Sequence, residues 1–474
     1  MSRDPDAALP PYFSIGPDAA LAELGPPVGT GDFAAIAEAC GRGRADLAAR
    51  GLGQGEGKRL RLFSTWEITR YLIPLAPAHF RRVLRANPDL PQGRTEKPGA
   101  AQGGARWFTL DEVLRLRAHF AAEGSRSKEY QPWRPPGLPA KVAAVANFKG
   151  GVGKTSTAAH LAMSAALDGY RVLVVDLDSQ GSMTSLFGGR VADEWGTVFP
   201  LIARDYALGL REENRRRVER GDQAQPLDEM LETALDKTAT DVIQPTHWPN
   251  IDLLGAQLNL YWAEFQIPVW RMAFRGWKLW DALGNALARD GVLDRYDLVI
   301  LDTPPALGYL TINGLAAADI LLVPLGASFL EFDSTGRFFD MLAATFASIE
   351  DGENLAARAL GRPEVHFEWD AVRAVITRYD PSQQAELASL MTAWMGRVLA
   401  PWRQDFTALV GQAGEQVNGI YEADYRDFNR DTYARGRLTF DQTYAGFKRL
   451  LLASWRRDEK LAEAAAPATE RETA

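Results

Sequence analysis

Three short stretches of the chain are apolar almost without interruption: Lys141 to Phe148 (KVAAVANF), Arg171 to Asp176 (RVLVVD) and Leu298 to Asp302 (LVILD). A strand with one wet face alternates apolar and polar residues. Continuous runs of this length therefore point to strands covered on both sides, as in a parallel sheet between helical layers. Ser156 to Asp168 (STAAHLAMSAALD) switches to a helical pattern and is closed by Gly169. Another strand is expected over Ala371 to Tyr379, followed by a long helical tail. Strands alternating with helices predict an α/β fold, a doubly wound and mostly parallel sheet.

Ahead of that sheet the punctuation differs. Ser64-Thr65-Trp66-Glu67 and Thr109-Leu110-Asp111-Glu112 each place Ser or Thr three residues before Glu, the reciprocal cap that starts a helix. Between them Ala78 to Ala86 (AHFRRVLRA) predicts a short helix with Phe80, Val83 and Leu84 on one side and Arg81, Arg82 and Arg85 largely on the other. A glycine-rich stretch, Gly93 to Ala105, leads into a strand at Arg106-Trp107-Phe108. The prolines at 132, 135, 136 and 139 cannot continue a helix and mark a boundary. The chain therefore divides into 1–52, 53–135 and 136–474. The first part carries Pro10, Pro11, Pro26 and Pro27 around one helical stretch, Asp32 to Ala49, and is expected to be mobile apart from that helix. Arg204 to Lys237 is highly charged and reads as a solvated helical insertion. The tryptophans at 262, 270, 277 and 280 read as core or subunit contacts. No internal repeat is evident.

Composition bounds the function. The chain has 474 residues, too many for one ordinary domain, and its 46% hydrophobic and 24% charged residues are those of a soluble protein. No run of 18 apolar residues occurs and the start lacks a basic-then-apolar leader, so a cytoplasmic location is expected. Cys40, the only cysteine, excludes internal disulfides and a cysteine-held metal cluster, and the five histidines show no ligand spacing. The net charge of −8 argues against nucleic acid until its distribution is considered. Between Lys58 and Arg134, 15 basic side chains face seven acidic ones, a surplus of eight that leaves −16 for the remainder. A basic module attached to an acidic body suits a phosphate backbone.

The chemistry is concentrated in Lys149-Gly150-Gly151-Val152-Gly153-Lys154-Thr155. Strand, glycine loop, helix is the setting in which backbone N–H groups turn inward around phosphate and deliver it to a helix N-terminus. The first glycine of the general pattern G-x-x-x-x-G-K-[ST] would fall at Phe148; the form present is the narrower K-G-G-x-G-K-[ST]. Gly150, Gly151, Val152, Gly153, Lys154, Thr155 and Ser156 are thus the nucleotide-binding candidates, with Lys149 as the additional cation. Asp176-Leu177-Asp178 and Asp302-Thr303-Pro304-Pro305 end two of the apolar strands. Acids at the C-terminal ends of parallel strands lie where a doubly wound sheet binds its ligand, here a magnesium nucleotide.

This combination resembles the ParA partition ATPases, relatives of MinD, and most closely their RepA-type branch from repABC plasmids. FSTWEITRYL, VANFKGGVGKTSTAAHLA, YRVLVVDLDSQGSMTSLFG, LVILDTPPALGYLTINGL and AVITRYDP carry the likeness through most of the chain. The resemblance implies ATP and Mg as cofactors. Lys154 would hold the β and γ phosphates, Thr155 would ligate Mg, Asp176 and Asp302 would hold Mg through water, and Asp178 would orient the attacking water. Lys149 would cross to the nucleotide of a second subunit, making an ATP-dependent homodimer. Ser179 departs from the proline usual in the family, with altered loop rigidity as the expected consequence. The helix at Asp32 to Ala49 would contribute to dimerisation, and the helices of 53–135 resemble a MerR-like winged helix-turn-helix, with Arg81, Arg82, Arg85 and Arg106 on DNA. The dimer would bind DNA without sequence preference, giving association with the nucleoid, and Arg378, Arg397, Arg403, Lys448 and Arg449 are candidates for that contact. A ParB-like (RepB-like) centromere-binding partner would stimulate slow hydrolysis, and the protein would repress its own operon. Two alternatives stay open: a chiefly regulatory repressor, and a MinD-like membrane ATPase using the amphipathic piece Phe447 to Arg457. The acidic residues after that piece favour a core-packed helix and no membrane contact.

Overall fold

The computed structural model describes residues 30–49, 58–95, 106–123, 130, 132–361, 363–415 and 418–465. The residues before 30, most of the glycine-rich stretch and the end of the tail lie outside the described residues. The helix expected at Asp32 to Ala49 runs Thr30–Ala49 (α1) and belongs to a compact unit of its own, Met1–Gly55.

The second unit begins at Glu56. Its front part opens with β1 (Phe63–Ser64), paired antiparallel with β2 (Trp107–Phe108). The Ser64 hydroxyl accepts from the Glu67 amide at 3.2 Å and the Glu67 carboxylate accepts from the Ser64 amide at 3.0 Å, so the reciprocal cap forms. The helix it starts is brief and passes at once into a π-helical turn, Ile68–Leu72. After a turn comes α2 (Pro77–Ala86), one residue longer than its pattern indicated because proline is accommodated in the first turn, where its missing N–H is no loss. Phe80 and Leu84 face inward. Arg94 and Trp107 form an antiparallel bridge, and α3 (Leu110–Glu123) follows under the Thr109 and Glu112 cap.

Eight strands form the main sheet: β3 (Lys141–Val145), β4 (Val172–Asp176), β5 (Ile243–Pro245), β6 (Ile251–Leu254), β7 (Leu298–Asp302), β8 (Ile320–Gly326), β9 (Ala371–Tyr379) and β10 (Leu399–Asp405). Their order is β10-β9-β8-β3-β7-β4-β6-β5, parallel throughout except β5 against β6. Every residue of β3, β4, β7 and β8 is buried, which is why their sequences do not alternate. The first apolar run ends as a strand at Val145 rather than Phe148, and α4 (Lys154–Leu167) begins two residues before the expected Ser156.

The proline boundary is not a gap in the packing. Phe63, Ile68, Phe80, Phe108 and Leu116 of the front part share one hydrophobic core with Leu161, Tyr170 and Trp455. Charged contacts cross the same seam: Arg117 with Asp168 at 2.8 Å and Lys58 with Glu422 at 2.9 Å. Arg134 in the proline-rich segment donates to the Tyr296 carbonyl at 2.7 Å and anchors that segment to the sheet layer.

The charged insertion is only half solvated. In α5 (Phe199–Glu219) the first turns are buried and Asp205 accepts from Trp277 at 3.0 Å and Arg289 at 2.8 Å, whereas Arg215 and Arg216 pair with Glu212 at the surface. Trp270, Trp277 and Trp280 are core, but Trp262 is exposed, at the threshold of α6 (Ala263–Ala273). Three further helices are α7 (Tyr309–Ala316), α8 (Phe329–Leu360) and the terminal α9 (Arg430–Ala465). The amphipathic piece of α9 turns Phe447, Leu451 and Trp455, all 0% exposed, into the core, so its apolar face is not offered to a bilayer. No described helix is long and apolar enough to cross a membrane.

Candidate active site

The glycine loop leaves the C-terminal end of β3, between β7 and β8. Gly151 and Gly153 sit at φ of 73° and 87°, the left-handed region that side chains disfavour. A Cβ built on Gly150 or Gly151 would meet nothing within 4 Å, so these glycines serve an open backbone concavity rather than close packing. Because α4 starts at Lys154, Thr155 and Ser156 lie in its first turn, where amides have no helical partner and the dipole favours an anion. The Lys154 ammonium spans the loop and donates to the Lys149 carbonyl at 3.0 Å. Burial pulls its pKa below the usual lysine value, against the opposing pull of Asp302 and Asp178.

Asp176 and Asp302 are directly opposite in the β4–β7 register, and both are 0% exposed. Their surroundings differ. Asp176 accepts the Thr184 amide and hydroxyl on one oxygen, each at 2.8 Å, and the Asp178 amide on the other at 3.1 Å. Burial pushes its carboxyl up to about 7 against those hydrogen bonds. Asp302 has no hydrogen-bond donor on either oxygen. Burial and the neighbouring Asp176 raise its pKa well above the carboxylate range; the Thr155 hydroxyl opposes the rise without an aligned hydrogen bond. A buried carboxylate with both oxygens unpartnered, beside a second carboxylate, a hydroxyl and an anion-binding loop, is suited to a hard divalent cation. The residues present therefore fit a magnesium nucleotide, with Asp302 and Thr155 as the available oxygens and Asp176 already bracing the turn from Asp178 to Thr184.

Asp178 lies half-buried in that turn, its carboxylate accepting the Gln180 amide at 3.0 Å and its carbonyl the Gly181 amide at 2.9 Å. Ser179 occupies the same turn, which closes without proline. The Lys149 amide donates to the Asn147 side chain at 3.1 Å, and its ammonium lies 3.9 Å from Glu331 in the first turn of α8. Thr377 on β9 donates to the Val152 carbonyl at 2.8 Å, tying the loop to the adjoining strand. Beyond the ends of β9 and β10, Tyr379, Pro381, Phe406 and Arg435 line a cavity of about 500 Å³. Asn147, Thr184, Glu331 and Thr377 were not singled out in the sequence; Asn147, Thr184 and Thr377 fall within segments quoted for the resemblance, but nothing in their spacing announces a role.

The basic candidates separate into groups. Arg81, Arg82 and Arg85 are exposed along α2. Arg106 is half-buried and donates to the carbonyl and side chain of Gln92, each at 3.1 Å, so its guanidinium ties the two ends of the glycine-rich stretch. Arg397 and Arg449 are exposed, Lys448 pairs with Asp168 at 2.6 Å, Arg378 pairs with Glu331 at 2.7 Å, and Arg403 lies over the Tyr379 ring.

Comparison with known proteins gives consistent results. A family described as AAA domain matches residues 140–350. The chain is 32% identical over 408 residues to "Putative replication protein A" of Sinorhizobium fredii, covering 84% of this chain and 88% of that one. It is 30% identical to "Protein SopA" of Escherichia coli over 249 residues, 51% of this chain and 54% of that one. A solved structure described as "Partition Protein" shares the fold with a TM-score of 0.54 at 17% identity, over 88% of this chain and 99% of that chain.

Proposed function

Since the chain belongs to the ParA-type P-loop ATPases, and to their partition branch, we propose that it binds ATP with Mg, pairs with a second copy across the nucleotide and holds DNA in that state. The observation that carries this reading is Asp302: both oxygens of a fully buried carboxylate lack donors at the edge of a phosphate-binding loop. Mg, once bound, supplies the positive charge that lets ionised carboxylates and phosphate share one site.

The chain's own residues divide the remaining work. The amides of Gly150 to Ser156 and the Lys154 ammonium hold the phosphates. Asp302 and Thr155 offer oxygens to the cation, while Asp176 keeps the Asp178 turn in place. Asp178 orients the attacking water and receives its proton. Lys149 reaches the nucleotide of the second copy, so that ATP joins the two subunits and positive charge meets the charge developing on the transferred phosphoryl group. A ParB-like centromere-binding protein stimulates turnover and thereby releases DNA.

The front part, 58–123, is read as a winged helix-turn-helix: two short helices, a hairpin and a third helix, with Arg81, Arg82 and Arg85 outward on the second. It gives the protein a sequence-specific contact with DNA and, at its own promoter, repression. Its shared core with the ATPase packs the two parts into one body.

The nucleotide reading is tested by Lys154→Ala. ATP affinity measured by calorimetry should fall by roughly two orders of magnitude, the loss of about 3 kcal/mol that removing a charged hydrogen-bond partner brings. Undiminished affinity overturns the assignment.

A further inference from the structure

Glu331 stands at a meeting of charges that the proposed ATPase cycle has not used. It lies in the first turn of α8, whose cap is the Ser328 hydroxyl accepting the Glu331 amide at 3.3 Å. One carboxylate oxygen accepts from the Gly326 amide at the end of β8. The other faces two cations, the Arg378 guanidinium at 2.7 Å and the Lys149 ammonium at 3.9 Å. The Glu331 side chain is 13% exposed, against 34% for Lys149 and 51% for Arg378, so the anion is fixed and the cations are the parts able to leave.

Two further observations show that this corner is built around the loop. Asn147 accepts the Lys149 amide and donates to the Pro324 carbonyl at 2.8 Å and to Thr335, one turn beyond Glu331, at 3.3 Å. The first turns of α8 are thereby wired to the strand end from which Lys149 departs. Arg378 has a φ of 51°, the only positive φ at a non-glycine among the described residues. That conformation is costly for a side-chain residue and persists where its surroundings enforce it. Both loop lysines thus face acceptors of their own chain: Lys154 donates to the Lys149 carbonyl, and the Lys149 ammonium lies near Glu331, beyond hydrogen-bond distance.

We propose that Glu331 is a positioning carboxylate that parks Lys149 on its own subunit, in competition with Arg378, and so sets the ATP concentration at which two copies join. The inference rests on the reading that Lys149 crosses to the second copy's nucleotide. Transfer of Lys149 from one carboxylate to a more highly charged phosphate is favourable only when that phosphate is in reach. Glu331 subtracts from the gain, which makes pairing conditional on nucleotide. Arg378 weakens the hold by sharing the same oxygen.

The test is sedimentation of the full-length protein without DNA, titrated with Mg and a non-hydrolysable ATP analogue. Glu331→Gln retains an oxygen for the Gly326 amide but removes the charge. It should lower the midpoint for pairing roughly two- to fivefold, the range for loss of one partly exposed ion pair. Arg378→Met should move the midpoint the opposite way, because Lys149 then has the carboxylate to itself. Glu331→Asp, retracted by one methylene, should shift in the same direction as Glu331→Gln. Calorimetry at protein concentrations too low for pairing should find analogue affinity unchanged in all three. Unmoved midpoints while Lys149→Ala stays monomeric overturn the parking role and leave the cross-subunit lysine standing. A Lys149→Ala protein that pairs normally overturns the underlying reading and this inference with it. Equal shifts in monomer affinity and pairing show a merely structural carboxylate and also refute it.

Discussion

Glu422 offers a quantitative test of how the basic front part is fastened to the ATPase. Its side chain is 4% exposed and its carboxylate receives four donors: the Lys58 ammonium at 2.9 Å, Trp248 Nε1 at 2.9 Å, the Gly419 amide at 2.8 Å and His247 Nε2. Burial alone would raise its pKa, but the His247 hydrogen bond and the Lys58 charge outweigh it and hold the carboxyl at about 2, against an ordinary 4.5. The two ends of the ion pair shift unequally, since burial pulls the Lys58 ammonium down despite the attraction of Glu422. The carboxylate is the better gauge, because four donors converge on it while Lys58 also donates to the Leu186 carbonyl. A depressed carboxyl pKa stabilises the fold above the unfolded value of 4.5 and loses that effect as pH falls through the folded value of about 2. The shift corresponds to about 3 kcal/mol at neutral pH, contracting to about 1 kcal/mol near pH 3. Glu422→Gln, which removes the charge and turns an amide N–H toward a cluster of donors, should therefore cost about 3 kcal/mol by urea unfolding at pH 7, with a difference from the wild type that shrinks on acidification. Hydrogen exchange should locate the loosening at the seam between 58–123 and the sheet. Equal stabilities at pH 7, or a difference that does not shrink toward pH 3, would refute the reasoning.

Asp178→Ala should bind ATP and pair like the wild type yet hydrolyse at least about a hundredfold more slowly, read from single-turnover phosphate release; unchanged hydrolysis places the water elsewhere. In the full-length protein, Ala at Arg81 or Arg85 should cost roughly 1–3 kcal/mol on its own promoter if the side chain reads a guanine edge. A loss uniform across duplex sequences instead assigns it to phosphate, and no change at any of Arg81, Arg82 and Arg85 removes α2 from the interface.

The parallel sheet and the phosphate loop were legible because each is written locally. Continuous apolar runs are required of strands buried on both faces, and no other residue tolerates the backbone angles of Gly151 and Gly153 so readily. What pattern could not show arises between segments distant in sequence. Asp176 and Asp302 both read as strand-end acids. Only the fold reveals that Thr184 and the Asp178 amide occupy Asp176 while Asp302 stands without donors. Glu331 and Arg378 are 47 residues apart and meet because β8 and β9 are neighbours. Arg106 looked like its exposed counterparts on α2, since charge carries no information about burial until Gln92 is found beneath it. The charged stretch from Arg204 misled in the same way, its first turns being held inside by the contacts of Asp205.

The central claim is that nucleotide switches this protein between a free form and one that holds DNA. The most direct measurement is fluorescence anisotropy of a labelled duplex lacking the promoter, titrated with full-length protein and Mg in the presence of ATP, ADP or no nucleotide, and repeated over a range of salt. Binding should appear with ATP alone. Replacing a true contact, with Arg397 and Arg449 among the exposed candidates on the ATPase, should flatten the log–log salt dependence by about one unit each. Binding of equal strength with and without ATP, or ATP-dependent binding to anionic liposomes in place of DNA, would contradict it.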